Sequence, residues 1–207
     1  MIIGMPVYPG VDLLDVAGPH EVFNWMSIPV TVELVAETPG DITTRDNFTF
    51  KVCKSFEAAS KFDVLWVPGG SPDALNRLLK RPSVYLDFLN TQAHARYICS
   101  VCEGGVLLAA SGLADGYLMT THWAFVPCLA KFPKVKPAQG FPRFVLDRNR
   151  LTGGGISSGL DEAFKLVELL AGYAAAQDVQ RTMQYYPCPP VASDLTPAKS
   201  CPLWPNG

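Results

Sequence analysis

The sequence YICSVCEGGVLLAA, residues 97–110, places a cysteine between an apolar strand pattern and a helix that opens with two glycines. Residues 97–101 predict a short buried strand, and residues 104–110 predict a helix. Cys102 lies at the turn between them, where the partial positive charge of the helix N-terminus favours a thiolate. Hydrolases place a serine on a similar strained turn, close to backbone N–H groups that stabilise an anion. We therefore expect the chemistry of this protein at Cys102.

The rest of the chain alternates strand and helix patterns. Strands are predicted at residues 2–8, 30–37, 48–53, 62–67, 97–101 and 117–121, with a hairpin at 144–146 and 150–152. Helices are predicted at residues 20–25, 72–80, 83–95, 104–111, 159–171 and 174–185, with Pro19 near the first turn of the first helix. This alternation predicts an α/β fold, a doubly wound α/β/α sandwich with a largely parallel sheet.

The composition predicts one α/β domain over residues 1–190, followed by a peripheral arm or tail over residues 191–207. Six of the last 21 residues are proline, which is unfavourable for a helix or an inner strand. The length of 207 residues is sufficient for one full core, and 48% hydrophobic with 17% charged residues is typical of a globular protein.

Charge and cysteine usage limit the classes of partner. A net charge of −2 and no run of Lys or Arg argue against nucleic acid. The N-terminus lacks the pattern of a signal peptide, and no apolar stretch reaches the roughly 20 residues of a membrane span. The six cysteines are dispersed, which favours free thiols and a cytoplasmic protein.

A metal site and a phosphate site are both disfavoured. Cys99 and Cys102 have the Cys-x-x-Cys spacing, but Cys99 falls inside the strand pattern, where a buried and inert thiol is expected. The three histidines are far apart and lack zinc-ligand spacing. The glycines at residues 153–155 lack the Lys-Ser/Thr ending of a phosphate loop. We expect no metal and no cofactor.

Several short segments in a fixed order resemble a known family. They are LDVAGP at residues 14–19, VPGG at 67–70, VC at 101–102, TTHW at 120–123 and LTGGGI at 151–156, followed by GLD at 159–161. Together they resemble the ThiJ/PfpI superfamily of class I glutamine amidotransferase-like proteins, and within it the isocyanide hydratase branch, over residues 1 to about 190. The resemblance implies a flavodoxin-like sandwich that assembles as a homodimer.

The resemblance also implies roles for individual residues. Cys102 matches the nucleophile, and Asp15 matches a carboxylic acid close to that sulfur. The apolar neighbours of Asp15 suggest partial burial, which raises a carboxyl pKa. The other matching positions are expected to border the substrate: Gly69, Gly70, His122 and Ile156. The alternative for Gly69 and Gly70 is a βα turn that needs glycine, and the alternative for His122 is a packed histidine at the end of a strand. Trp123 is the aromatic residue best placed to form a pocket wall.

Glu103 departs from the resemblance. The hydratases of this branch usually place threonine directly after the cysteine. A carboxylate beside the sulfur would raise the pKa of the thiol or would itself take up a proton. Either the chemistry is modified by an extra acid, so that Glu103 joins Cys102 and Asp15 as a catalytic residue, or the side chain turns outward and its charge interacts favourably with the helix N-terminus.

The expected function is a hydratase for a small-molecule isocyanide. Cys102 would attack the isocyanide carbon, Asp15 would supply a proton, and water would release an N-substituted formamide from the covalent thioimidate. Alternatives are a divergent member with glyoxalase-like, deglycase-like or related hydration or lyase chemistry, and a non-enzymatic sensor whose cysteine is oxidised. A transcription regulator would need a helix-turn-helix after residue 190, where the sequence is rich in proline.

Overall fold

The computed structural model describes residues 1–204. Its strands, in chain order, are β1 (Ile2–Pro6), β2 (Thr31–Ala36), β3 (Gly40–Thr43), β4 (Thr49–Val52), β5 (Lys54–Ser55), β6 (Val64–Val67), β7 (Tyr97–Ser100), β8 (Leu118–Met119), β9 (Lys136–Pro137), β10 (Phe144–Asp147) and β11 (Arg150–Gly153). The helices are α1 (Leu13–Asn24), α2 (Pro72–Leu79), α3 (Val84–Thr91), α4 (Gly104–Ser111), α5 (Ser158–Ala171) and α6 (Tyr173–Thr182), with a 3₁₀ helix at Trp123–Lys131.

A seven-stranded sheet in the order β10-β11-β7-β6-β1-β2-β5 forms the centre of the molecule. All neighbouring strands pair in parallel except the β10–β11 hairpin, which is antiparallel as predicted. Strands buried by helices on both faces of a parallel sheet carry continuous apolar runs, and all four residues of β6 are buried. The sequence-based prediction of an α/β sandwich with a largely parallel sheet is correct.

The carboxyl ends of the central strands meet at one edge of this sheet. Val67 at the end of β6 lies in register with Ser100 at the end of β7, and Thr152 of β11 pairs with Ser100 on the other side. In open α/β sheets, ligands bind outside the carboxyl ends of the strands. The turns that carry Gly69 and Cys102 therefore lie beside each other, although 33 residues separate them in the sequence.

The first helix begins earlier than predicted. It starts at Leu13, so Pro19 lies inside the helix rather than in its first turn. A proline has no N–H and leaves the carbonyl four residues before it without its helical partner. Here that carbonyl belongs to Asp15, and it accepts a hydrogen bond of 3.0 Å from the indole Nε1 of the buried Trp66. A contact distant in sequence thus satisfies the backbone group that Pro19 leaves free.

The cysteines are not all free thiols, as the sequence had suggested. Cys128 of the 3₁₀ helix forms a disulfide with Cys201, which is 73 residues away in the sequence. The other four, Cys53, Cys99, Cys102 and Cys188, are free. Their dispersed spacing gave no indication of the pair because the partners meet only when the C-terminal segment packs on the domain.

The C-terminal arm (residues 187–204) forms no helix or strand within the described part of the chain. Its last described residues nevertheless pack on the domain, and the Leu203 side chain is buried. Residues 205–207, which belong to the predicted tail, lie outside the described residues. Within residues 1–204, no helix has both the length and the hydropathy needed to cross a membrane.

Candidate active site

Cys102 occupies a strained turn between β7 and α4. Its φ of +56° lies in the left-handed region, which is uncommon for a residue other than glycine. The backbone around it is tied down: its N–H donates to the Gly154 carbonyl at 2.8 Å, and its carbonyl accepts from Thr121 Oγ1 at 2.7 Å. The structure thus places Cys102 on the predicted strand-to-helix turn and holds it there through two other loops.

The glycine after this turn is required by the close approach of the start of α4 to the end of β6. A Cβ atom built on Gly104 would lie 2.1 Å from the backbone oxygen of Val67, which cannot move without disturbing β6. A side chain at Gly69 would meet Glu103 Oε2 at 2.5 Å and the Cβ of Cys102 at 2.9 Å. Glycine at these two positions allows the β6 turn and the cysteine turn to pack directly against each other.

Asp15 lies at this junction and is fully buried. Its Oδ2 accepts a hydrogen bond of 2.8 Å from the backbone N–H of Gly69, while its Oδ1 has no partner among residues 1–204. The N–H of Gly69 therefore positions the acid, a contact that the sequence had not indicated. The unpartnered Oδ1 is the atom free to carry and exchange a proton.

Four side chains form what we call the acid–thiol cluster: Asp12, Asp15, Cys102 and Glu103. One carboxylate oxygen from each acid and the Cys102 Sγ all lie within 4.8 Å of one another, and all four residues are buried. The predicted pair of Asp15 and Cys102, 87 positions apart in the sequence, is thus brought together. Glu103 is 3% exposed and its Oε2 has no partner among residues 1–204, so the side chain turns inward rather than outward.

Asp12 was missed in the sequence. It precedes α1 and is buried, and Arg45 is its cationic partner at 3.4 Å. Its spacing of three residues from Asp15 is the available signal, because residues three apart share one face of a helix. Our interpretation of the segment as a loop before a later helix concealed that relationship.

Burial and mutual repulsion control the protonation of the cluster. Burial raises the pKa of Asp15 well above its usual range, and the negative charges of Asp12 and Glu103 raise it further. The pKa of Glu103 is raised chiefly by burial. The pKa of the Cys102 thiol is also raised well above its usual value, first by burial and then by the charges of Asp15 and Glu103. The thiolate that the helix N-terminus was expected to favour is therefore not the resting form, because desolvation outweighs the helix charge.

Ile156 and His122 border the sulfur from the opposite side. The backbone N–H of Ile156 donates to Cys102 Sγ at 3.5 Å, a contact that lowers the pKa of the thiol and stabilises a thiolate as it forms. The Nδ1 of His122 accepts a hydrogen bond of 3.2 Å from the Ala124 N–H, and partial burial lowers the pKa of the ring. A neutral imidazole with this hydrogen bond carries its proton on Nε2.

A cavity of about 350 Å³ opens beside these two residues. Its lining includes the predicted His122, Trp123 and Ile156, together with Phe141 and Leu195, so the walls are largely apolar. Gly69 and Gly70 do not line it. A larger cavity of about 790 Å³, between the end of β1 and helices α2 and α3, contains none of the predicted site residues. Cys102, Asp15 and Glu103 line neither of these two cavities, and the smaller one adjoins the cysteine through Ile156, whose N–H donates to its sulfur.

The donor atoms of the site could also hold a cation. Those of the acid–thiol cluster lie within 4.8 Å of one another, as do those of Cys102, Glu103 and His122. Protons provide another way of neutralising the cluster, and the raised carboxyl pKa values favour that state. The expectation that the protein uses no metal stays a prediction.

Comparison with known proteins finds relatives with a similar sequence and a similar fold. The chain is 39% identical over 196 residues to the isonitrile hydratase of Pseudomonas putida, covering 92% of this chain and 81% of that protein. The crystal structure of a THiJ/PfpI family protein from Pseudomonas syringae superposes with a TM-score of 0.85 at 33% identity, covering 92% of this chain and 77% of that one. Drosophila melanogaster DJ-1beta shares the fold, with a TM-score of 0.75 at 21% identity, and covers 88% of this chain and 97% of its own.

The family assignment rests on most of the chain. The DJ-1/PfpI family matches residues 2–169, a range that includes β1, the cysteine turn and most of α5. The same range contains Asp15, Cys102 and Ile156, the residues that meet at the sulfur. From its sequence and from its fold, the chain belongs to the DJ-1/PfpI family.

Proposed function

We propose that this protein is a cysteine-dependent hydratase that converts an isocyanide, R–N≡C, into the N-substituted formamide R–NH–CHO. The observation that carries the proposal is that a carboxylate oxygen of the buried Asp15 lies within 4.8 Å of the Cys102 sulfur, while its Oδ1 has no hydrogen-bond partner among residues 1–204. A carboxyl with a raised pKa keeps its proton to higher pH and can deliver it to a weakly basic carbon. The isonitrile hydratase relative, 39% identical, supports the same substrate class.

The first half of the reaction forms a covalent intermediate. Asp15 donates its proton to the terminal carbon of the isocyanide and becomes a carboxylate. That carboxylate takes the proton of the Cys102 thiol, and the thiolate attacks the same carbon. A carbon–sulfur bond forms while one carbon–nitrogen bonding pair moves to nitrogen, which leaves the thioimidate R–N=CH–S attached to Cys102. The N–H of Ile156, 3.5 Å from the sulfur, stabilises the charge that develops there.

The second half is hydrolysis of the thioimidate. Asp15, again protonated, gives its proton to the nitrogen and takes one from the attacking water, so a hydroxyl group is added to the carbon. The carbon–sulfur bond then breaks, the thiolate leaves, and the hydroxyl proton returns to the sulfur through Asp15. One water is consumed, one formamide is released, and both residues recover their starting protonation states. Glu103 contributes a second carboxyl that can hold the proton between these steps.

The pocket is suited to such a substrate. An isocyanide group offers no hydrogen-bond donor, and its substituent R is commonly apolar, which matches walls that include Trp123, Phe141 and Ile156. The Nε2 proton of His122 is available to the formamide oxygen as it forms. Because Cys102 is itself buried, the substrate reaches the sulfur between His122 and Ile156.

The test measures formamide production from a panel of isocyanides of increasing size. We expect the protein to produce formamide and Cys102→Ala to lose that activity, whereas Cys53→Ala, which removes an exposed free thiol, retains it. Accumulation of an adduct on Cys102, detected by mass spectrometry of the intact protein, would report the thioimidate. Full activity in Cys102→Ala would contradict the mechanism.

A glyoxalase-like or deglycase-like reaction is the second candidate, and Glu103 favours it. A buried carboxyl beside the nucleophile provides an additional base for moving a proton within a thiol adduct of methylglyoxal. Lactate formation from methylglyoxal, without formamide formation from any isocyanide, would support this alternative. An oxidation sensor is less well supported, since oxidation is fastest for exposed thiolates and Cys102 is a buried thiol with a raised pKa.

A further inference from the structure

The C-terminal arm reaches the pocket beside the cysteine. Leu195, near the middle of the arm, lines the same cavity as His122 and Ile156. The side chain of Leu195 is 49% exposed, so one side of it faces solvent and the other faces the cavity. The rest of the cavity wall comes from the α/β domain, so Leu195 is the residue that the C-terminal arm adds to it.

The arm is anchored beyond Leu195, at its last four described residues. Cys201 is bonded to Cys128, and Leu203 is buried. The Trp204 N–H donates to Asn76 Oδ1 at 3.2 Å, and the Lys131 ammonium lies 4.6 Å from the centre of the Trp204 ring. These contacts attach the end of the arm to α2 and to the 3₁₀ helix, whose first residue, Trp123, also lines the cavity.

The part of the arm between α6 and these anchored residues, residues 187–200, is weakly attached to the domain. Among residues 1–204, none of the hydrogen bonds involves residues 187–200. A flexible segment of about nine residues, the length from Tyr186 to Leu195, spreads over about 16 Å when only one end is fixed. The position of Leu195 at the cavity therefore depends on the attachment at Cys201.

We propose that the C-terminal arm is the outer wall of the substrate pocket, that Leu195 limits the size of the substrate, and that the Cys128–Cys201 disulfide holds this wall in place. The identity of the substrate rests on the function proposed above, but the role of the arm as a pocket wall does not depend on that function. Reduction of the disulfide releases the arm, adds one hydrogen to each sulfur and opens the pocket to larger molecules. A cellular dithiol is the class of reductant that this requires.

The first experiment uses alkylation of Cys102, which needs no substrate. The protein is treated with a small reagent, iodoacetamide, and with a bulky aryl maleimide, and modification of Cys102 is followed by mass spectrometry of its peptide. In Leu195→Ala we expect the rate with the bulky reagent, relative to the small one, to rise about tenfold, the scale on which pocket size discriminates. Val191→Ala is the matched control, because Val191 lies on the same arm, is 77% exposed and does not line the cavity.

The disulfide is tested in the same assay. Peptide mapping without reductant should recover Cys128 joined to Cys201. Treatment with a phosphine reductant should raise the bulky-to-small ratio of the wild type to that of Cys201→Ala, and the reductant should have no further effect on that variant. Cys128 is left in place because a buried free cysteine packs as a small apolar residue.

The outcomes separate this proposal from the proposed function. The proposed role of the arm is wrong, whatever the substrate is, if Leu195→Ala and Val191→Ala give the same bulky-to-small ratio of alkylation rates. It is also wrong if Cys201→Ala gives the ratio of the oxidised wild type. If the ratios change as expected but no isocyanide is hydrated, the proposed hydratase function is wrong and the proposed role of the arm is supported. If both hold, Leu195→Ala should lower the KM for the largest isocyanides about tenfold relative to the smallest.

Discussion

Trp66 and Asp15 are joined by a hydrogen bond of 3.0 Å from the indole Nε1 to the Asp15 carbonyl, the group that Pro19 leaves without a helical partner. The same Asp15 uses its side chain to accept from the Gly69 N–H, which follows β6. Both contacts tie the first turn of α1 to the strand β6 and its turn. The acid is therefore positioned by its backbone and by its side chain, and this makes Trp66 a positioning residue.

Replacing Trp66 with Phe should remove the hydrogen bond that links the backbone of Asp15 to β6. The ring still fills much of the space, but the carbonyl of Asp15 becomes an unsatisfied buried acceptor, which costs about 1–3 kcal/mol of unfolding free energy. Because Asp15 loses one of its two restraints, we expect kcat to fall while KM changes little. Urea unfolding followed by circular dichroism and steady-state kinetics measure the two effects. Trp25→Phe is the control, since Trp25, directly after α1, is 51% exposed and its indole N–H donates to Glu21 one turn earlier. A normal kcat in a destabilised Trp66→Phe would limit Trp66 to a structural role.

Asp15→Asn tests the proton donor itself. An asparagine oxygen can still accept from Gly69, so the fold is retained, but the amide cannot deliver or take up a proton in this pH range. We expect formamide production to fall about 100-fold or more, the scale of a lost general acid. The unfolding free energy should not fall, because a neutral amide replaces a group whose charge is disfavoured by burial. Activity within threefold of the wild type would remove Asp15 from the mechanism.

Glu103→Gln should make the Cys102 thiol more reactive toward an alkylating reagent. The negative charge of Glu103 is one of the causes that raise the pKa of the Cys102 thiol, so its removal lowers that pKa and increases the thiolate fraction at neutral pH. The rate of iodoacetamide modification at Cys102, measured against pH, should shift to lower pH and rise several-fold at pH 7. Glu57→Gln removes a charge from the exposed surface and should leave the profile unchanged. An unshifted profile in Glu103→Gln would mean that Glu103 is protonated throughout.

Glu162 should make the protein less stable as the pH rises. It is fully buried, neither carboxylate oxygen has a side-chain or backbone partner among residues 1–204 at hydrogen-bond geometry, and burial raises its pKa well above the ordinary 4.5. The folded state therefore binds more protons than the unfolded state above pH 4.5, and the unfolding free energy falls from there until the folded pKa is passed. The slope is at most about 1.4 kcal/mol per pH unit for one group.

Glu162→Gln removes this titration without changing the shape of the side chain. We expect its unfolding free energy to equal that of the wild type near pH 4 and to exceed it increasingly at higher pH, as measured by urea unfolding across the pH range. Glu168→Gln, on the same helix but partly exposed and paired with Lys165, should follow the wild-type curve. Parallel curves for the wild type and Glu162→Gln would show that Glu162 does not titrate between the two states.

Sequence reasoning correctly predicted the features that depend on local patterns. Apolar runs and glycine turns predicted the order of strands and helices and the hairpin before α5, because these are set by residues close together in the chain. The strand-to-helix turn at Cys102 was visible for the same reason. The short strands β3, β5 and β9 were not predicted, since two to four residues carry too little periodicity. The 3₁₀ helix at Trp123–Lys131 was not predicted either, and it contains Pro127, which interrupts a helical pattern.

What only the tertiary structure decided are the contacts between segments that are distant in the sequence. Folding buries Glu103 beside the sulfur, adds Asp12 to the cluster and holds Cys102 as a thiol, because desolvation outweighs the charge of the helix end. It also joins Cys128 to Cys201 and brings Leu195 to the cavity. The sequence by itself determined the fold and predicted Cys102 and Asp15 as nucleophile and acid, two residues that the structure brings into one cluster. The protonation state and the outer wall of the site depend on packing, which no local pattern encodes.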